Sequence, residues 1–148
     1  MGSENLPAES KPDALIGTLV DGRFSILELL GEGGIGVVYK ARHVLMDRIV
    51  AFKMLRSEFV DDEIVFGRFQ QEARAICTLS HPNIVSAFDF GVTLSGHAYM
   101  AMDFLEGQDL DSHVEENGAL PLDACLPIFL QVCAALAHAP TVGIIHPA

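Results

Sequence analysis

The chain has 148 residues, half of them hydrophobic and a fifth charged, which suits a globular domain with a real core and not a disordered segment. Twenty acidic residues against nine basic ones leave a net charge of −11, which excludes a nucleic-acid-binding face and an anionic membrane surface as partners. All the basic residues fall between Lys11 and Arg74, so from Ala75 onward the chain carries no Lys or Arg.

The opening "MGSENLPAESKPD" is rich in Ser, Pro, Glu and Asp and has no apolar signal-peptide core. Residues 1–21 read as a flexible tail. No apolar run reaches the ~18 residues that suggest a membrane span, and the expected location is the cytoplasm. Cys77, Cys125 and Cys133 sit in apolar helical patterns and are expected to be small buried hydrophobes of a reducing compartment. The histidines stand singly, without metal-ligand spacing.

From Arg23 the pattern is of short strands. "RFSILELLG" runs into a glycine-rich stretch, "GVVYKARHV" leaves it, and "DRIVAFKML" follows the turn-like Met46-Asp47. The period then changes, with Phe69, Glu72, Ile76 and Leu79 recurring at helical spacing until Pro82 prevents continuation. "NIVSAFDFGV" and "HAYMAMDFL" are strands around a turn at Ser95-Gly96. A five-stranded antiparallel sheet with one inserted helix results. After a hinge at 103–107, "DLDSHVEENG" is a short helix closed by Gly118. "PLDACLPIFLQVCAALAHA" is the last helix, with Pro121 near its start, Pro127 weakening it and Pro140 expected to end it.

The stretch "LGEGGIGVVYK", Leu30 to Lys40, holds glycines Gly31, Gly33 and Gly36 in the G-x-G-x-x-G spacing. A dinucleotide fold would need a helix opening at Gly36, but Val37, Val38 and Tyr39 favour a strand. A P-loop would need Lys-Ser or Lys-Thr after the last glycine, where Val37 stands. A strand–loop–strand hairpin remains, either a plain turn or one whose backbone N–H groups meet phosphate oxygens. Two charges shift the balance toward the second, unless both simply reach solvent. Lys53 lies in the apolar strand "IVAFKML", on one face with Ala51, and Glu72 lies on the apolar helix face between Phe69 and Ile76. Each alone would be an expensive half-buried charge, so the economical arrangement is a pair, with the lysine also meeting an anion under the loop.

Together these motifs resemble the amino-terminal lobe of eukaryotic-like protein kinases, most closely the bacterial serine/threonine kinases. Gly31-x-Gly33-x-x-Gly36-x-Val38 is similar to the family's glycine-rich loop, and Val50-Ala51-Phe52-Lys53 to its V-A-I-K. Glu72 falls at the helix C glutamate, and His81 to Val85 ("HPNIV") at the link to the fourth strand. The resemblance, from about residue 22 to His146, implies an α+β fold: a kinase N-lobe over 22–102, a hinge, and a truncated helical C-lobe over 108–148. It implies ATP held by Leu30, Gly31, Glu32, Gly33, Gly34, Ile35 and Gly36. Val38 and Ala51 would cover the adenine, with Met102 as gatekeeper and hinge backbone at Asp103, Phe104 and Leu105. Lys53 and Glu72 would be the phosphate-positioning ion pair.

The resemblance also breaks off. The family's His-Arg-Asp-Leu-Lys-Pro-x-x-Asn begins at His146, but Pro147 and Ala148 replace the Arg and the Asp. The Asp-Phe-Gly segment is missing. No catalytic set is complete, so activity as an enzyme is uncertain: Mg2+ is expected from the family, yet its protein ligands are absent. The expected function is ATP binding within a serine/threonine kinase domain, inactive alone. The alternative is a non-catalytic, pseudokinase-like interaction module. The helix 121–139 has the apolar stripe Leu122, Leu126, Phe129, Cys133 and Leu136, able to bury one side at most. It is therefore expected to meet a protein partner or a second copy.

Overall fold

The structure is a computed structural model that describes residues 12–139. The chain divides into two compact units, one running to Cys77 and including Ser86–Phe104, the other made of Thr78–Val85 and the residues from Leu105 onward.

The first unit is an antiparallel sheet with one helix. Its strands are β1 (Leu19–Val20), β2 (Phe24–Glu32), β3 (Gly36–His43), β4 (Arg48–Leu55), β5 (Ala87–Val92) and β6 (Ala98–Asp103). They lie in the order β1-β2-β3-β4-β6-β5, so β4 pairs with β6 and the later hairpin folds back to reach it. Helix α1 (Glu63–Thr78) is inserted between β4 and β5. Its start is capped by Asp62, whose carboxylate accepts the N–H groups of Ile64 and Val65 at 3.0 and 3.1 Å.

Alternation along the strands sorts side chains onto two faces. On one, Phe24, Ile26, Tyr39, Ala41, Val50, Phe52 and Tyr99 form a buried core. On the other, Phe69 and Ala73 of α1 pack with Leu55, Ala98 and Met100. The helix face read from the 3-4 spacing is thus the face that meets the sheet.

The sheet has six strands where five were expected. The extra strand, β1, pairs Leu19 with Ser25 and Val20 with Phe24. It belongs to the stretch read as a flexible tail. Of that stretch, residues 12–21 instead form a 3-10 turn over Pro12–Leu15 followed by β1, with Leu15 and Val20 only 2% exposed. Burial of these two side chains in the first core fixes the segment in place. Residues 1–11 lie outside the described residues.

A polar cluster closes this end of the core. The Tyr99 hydroxyl donates to the Asp21 carboxylate. Arg23 donates to Asp21 and to the Tyr99 oxygen, each at 2.6 Å, and to Asp89 at 2.7 Å. Asp21 has a φ of 51°, a left-handed backbone that Asp tolerates better than most residues. Gly91 lies opposite Tyr99 across the β5–β6 ladder, and the ring occupies the space a Gly91 side chain would need.

The second unit holds α2 (Leu110–Asn117) and α3 (Leu122–His138). Asp109 caps α2 by accepting the Ser112 N–H at 2.7 Å. Gly118 ends it, with a φ of 80° and its N–H on the Val114 carbonyl at 2.8 Å. Pro121 caps α3, and Pro127 lies inside it. Pro140 falls outside the described residues. Asn83 donates to Gln131 of α3 at 2.8 Å. The α3 stripe, expected to bury one side at most, has no buried member: Leu122, Leu126, Phe129 and Leu136 are 73%, 52%, 64% and 62% exposed. The cysteines differ from expectation, since Cys77 and Cys133 are exposed and Cys125 is half-buried. Helical periodicity marks a cysteine as compatible with a face without showing that the face is covered.

Candidate functional site

The glycine stretch is the tip of the β2–β3 hairpin. Gly33 donates its N–H to the Gly36 carbonyl at 2.8 Å, closing the tip over Gly34 and Ile35. Gly36 begins β3 opposite Leu55. A Cβ there would stand 3.0 Å from the Met54 carbonyl oxygen and 3.4 Å from Cε of Lys53, so any larger residue would make β4 give by a few tenths of an ångström. A Cβ at Gly31 or Gly34 would meet nothing within 4 Å. These two positions are open, and bare backbone faces that space. Leu30 and Glu32 are exposed, while Ile35 packs inward against the Leu55–Phe69 core.

Lys53 lies directly beneath this tip. It is paired with Val38 across one ladder and with Met100 across the other. Its Nζ stands 2.6 Å from Glu72 Oε1 on α1, with the two side chains 21% and 39% exposed. Nζ also lies 5.7 Å from the centre of the Phe69 ring. A lysine on an apolar strand and a glutamate on an apolar helix face thus meet, 19 residues apart in sequence. The pair leaves the Lys53 side chain partly exposed.

Val38, Ala51 and Met102 continue the same face. Ala51 pairs with Met102, and all three are half-buried. Met102 packs against the α1 core. Asp103 ends β6, with its N–H on the Ser86 carbonyl at 2.9 Å and its carboxylate paired with Arg48. Phe104 lies under the Lys40 ammonium, 5.0 Å from ring centre to Nζ. Leu105 belongs to the second unit and is 68% exposed.

A glycine hairpin over a lysine, with that lysine held by a helix glutamate and followed by an apolar sheet face, matches a family by sequence as well: residues 24–147 fit the protein kinase domain. The chain belongs to the protein kinase family. It is 41% identical over 132 residues to the probable serine/threonine-protein kinase CPE1738 of Clostridium perfringens, covering 89% of this chain and 19% of that protein. It is 39% identical over 132 residues to the serine/threonine-protein kinase PrkC of Bacillus subtilis, covering 89% of this chain and 20% of PrkC. The crystal structure of the Mycobacterium tuberculosis PknI kinase domain superposes with a TM-score of 0.74 at 30% identity, over 88% of this chain and 53% of that one. The chain therefore spans about a fifth of these curated relatives' length and about half of the solved kinase domain.

In kinase terms the first unit is the N-lobe and α1 is helix C. His146, where the catalytic-loop resemblance begins, lies outside the described residues. No helix among the described residues is long and apolar enough to cross a membrane. Sequence reasoning missed one residue at the loop, Arg56. Its backbone N–H donates to the Ile35 carbonyl at 3.0 Å, and its guanidinium donates to Glu32 at 2.9 Å. No motif or period marks it; only the hairpin geometry brings it there.

Proposed function

We propose that this chain supplies the nucleotide-holding part of a serine/threonine protein kinase domain, whose reaction is transfer of the terminal phosphoryl group of ATP to a protein hydroxyl. The observation that supports it most directly is the 2.6 Å Lys53–Glu72 pair beneath Gly36. Glu72 fixes the ammonium in place, and the ammonium meets the phosphate chain from below. Loop N–H groups meet the phosphates from above. Val38, Ala51 and Met102 offer an apolar wall for adenine, and the Asp103 carbonyl offers a hydrogen-bonding edge.

Positioning is what these residues contribute. The residue types fit a nucleoside triphosphate, because a partly exposed lysine and side-chain-free backbone stand together. Phosphoryl transfer rests on metal-assisted charge stabilisation as well as positioning, and the residues assembled here supply the positioning. These 148 residues by themselves are proposed to hold ATP without transferring its phosphate.

Calorimetric titration with ATP and ADP tests the reading, using the wild type and Lys53→Ala. Measurable heat from the wild type, reduced at least severalfold in the variant, is the expected result. Equal heats would remove Lys53 from the site. Incorporation of labelled phosphate into the chain or a generic substrate, lost in Lys53→Ala, would overturn the second half.

A further inference from the structure

One residue touches the glycine loop on both of its limbs. Arg56 follows β4 immediately and touches both limbs of the hairpin. On the outgoing limb its guanidinium Nη2 donates to Glu32 Oε2 at 2.9 Å. On the returning limb its backbone N–H donates to the Ile35 carbonyl at 3.0 Å. The Arg56 Nε is buried and has no hydrogen-bond partner among the described residues. A guanidinium set down with one N–H desolvated and unmatched carries a cost, so its placement is governed by what the rest of the group holds. What it holds is Glu32, the one charged side chain between Leu30 and Lys40.

We propose that Arg56 is a positioning residue for the glycine loop, acting through Glu32 to fix the loop and to neutralise the one negative charge beside the phosphates. The inference rests on the nucleotide reading of the loop. Two separable effects follow. The ion pair ties the loop tip to the end of β4, the strand that carries Lys53, so donors above and cation below keep a constant separation. The pair also presents a net-neutral edge to a polyanion, where an unpaired Glu32 would repel it.

These effects predict an unequal pattern. Glu32→Gln loses the tie but also removes the charge. Arg56→Gln loses the tie and leaves the carboxylate unpaired. Both side chains are partly exposed, 42% for Glu32 and 30% for Arg56. The expected weakening of ATP binding is therefore about twofold for Glu32→Gln and about fivefold for Arg56→Gln, the span typical of exposed ion pairs. The double variant should match Glu32→Gln, because removing Glu32 removes the repulsion that Arg56→Gln exposes. Adenosine, which has no phosphates, should bind all four proteins equally.

The test is titration of the 148-residue wild type, both single variants and the double variant with ATP and with adenosine. Amide exchange at Gly33 and Gly36 is followed in the nucleotide-free proteins. Faster exchange in each variant, the two-to-five ordering and unchanged adenosine affinity support the proposal. Additive losses in the double variant, or equal losses for ATP and adenosine, would overturn it, since a merely structural role gives those results. If the wild type binds ATP in a Lys53-dependent way but neither Arg56→Gln nor Glu32→Gln changes it, this inference fails alone. A wild type that binds no ATP removes both this inference and the function it rests on.

Discussion

Gly91→Ala gives a sharp test of how the N-lobe core is closed. A Cβ at residue 91 would stand 2.4 Å from the Tyr99 hydroxyl oxygen, 2.6 Å from Cζ and 3.0 Å from Cε1. Ordinary contact begins at 3.4 Å, so the tip of the ring must retreat by about 1 Å. It has little freedom to do so. Tyr99 is fully buried, stacked on Phe52 at 4.9 Å and edge-on to Phe24 at 5.6 Å, with its hydroxyl held between Asp21 and Arg23. Overpacking of a tight core costs about 1–3 kcal/mol. Disturbing one hydrogen bond to a charged partner adds about 1.5–3 kcal/mol, part of it recovered by relaxation. A loss of about 2–4 kcal/mol is therefore expected, a large share of the ~5–15 kcal/mol that holds a typical domain. The sequence contains no tryptophan, so urea unfolding is best followed by far-UV circular dichroism, with Tyr99→Leu as a second background. In that background the shorter side chain makes room, and the added cost of Gly91→Ala should shrink to below about 1 kcal/mol. A Gly91→Ala midpoint within about 0.5 kcal/mol of wild type, at unchanged slope, would refute the reasoning.

Gly67 is the counterpart: it lies on an exposed part of α1, where a Cβ meets nothing within 4 Å. Gly67→Ala should stabilise by about 0.5–1 kcal/mol in the same urea assay. Gly36→Ala should weaken ATP binding at least severalfold in calorimetry while Gly34→Ala changes it little, because only the first crowds Met54 and Lys53. On the acid side, the Tyr99 hydroxyl and Arg23 hold the Asp21 carboxyl below its ordinary 3.8. Its contribution is thus present above that value and fades as pH falls through the lowered one, and Asp21→Asn should flatten that part of an acid unfolding curve. On the alkaline side, burial and then the Asp21 hydrogen bond push the Tyr99 hydroxyl above its ordinary 10. Its contribution is complete below pH 10 and is lost as pH rises toward the raised value, so Tyr99→Phe should remove a step from the alkaline unfolding curve.

The elements that repeat a local rule were legible in the sequence. Alternation in "IVAFKML" put Lys53 on the face with Ala51, and the 3-4 spacing put Glu72 on the helix face with Phe69. Once both had to be partly buried, their pairing followed from the cost of leaving either alone. What escaped depends on curvature and on chain-distant meetings. Leu15 and Val20 fill a core only because β1 turns back along β2, and the polar composition before them masks that role. Arg23, in the turn just before β2, meets Asp89 of β5 and Tyr99 of β6, two strands that are not neighbours of β2 in the sheet. Arg56 reaches Glu32 because the hairpin tip bends over β4. Neither composition nor period reports such a bend. In α3, periodicity named a stripe, but a stripe does not show what covers it.

The strand order carries a consequence for synthesis. A ribosome releases β4 well before β6, its partner in the sheet, with α1 and β5 emerging between them. At roughly 5–20 residues per second, that interval lasts seconds. Throughout it, the nascent β4 edge presents "IVAFKML", an apolar ribbon with one lysine, to every other emerging chain. That lysine is the charge edge strands use to discourage pairing with strangers. On the ribosome Lys53 would therefore act as a gatekeeper against premature sheet extension, before Glu72 and Met100 enclose it.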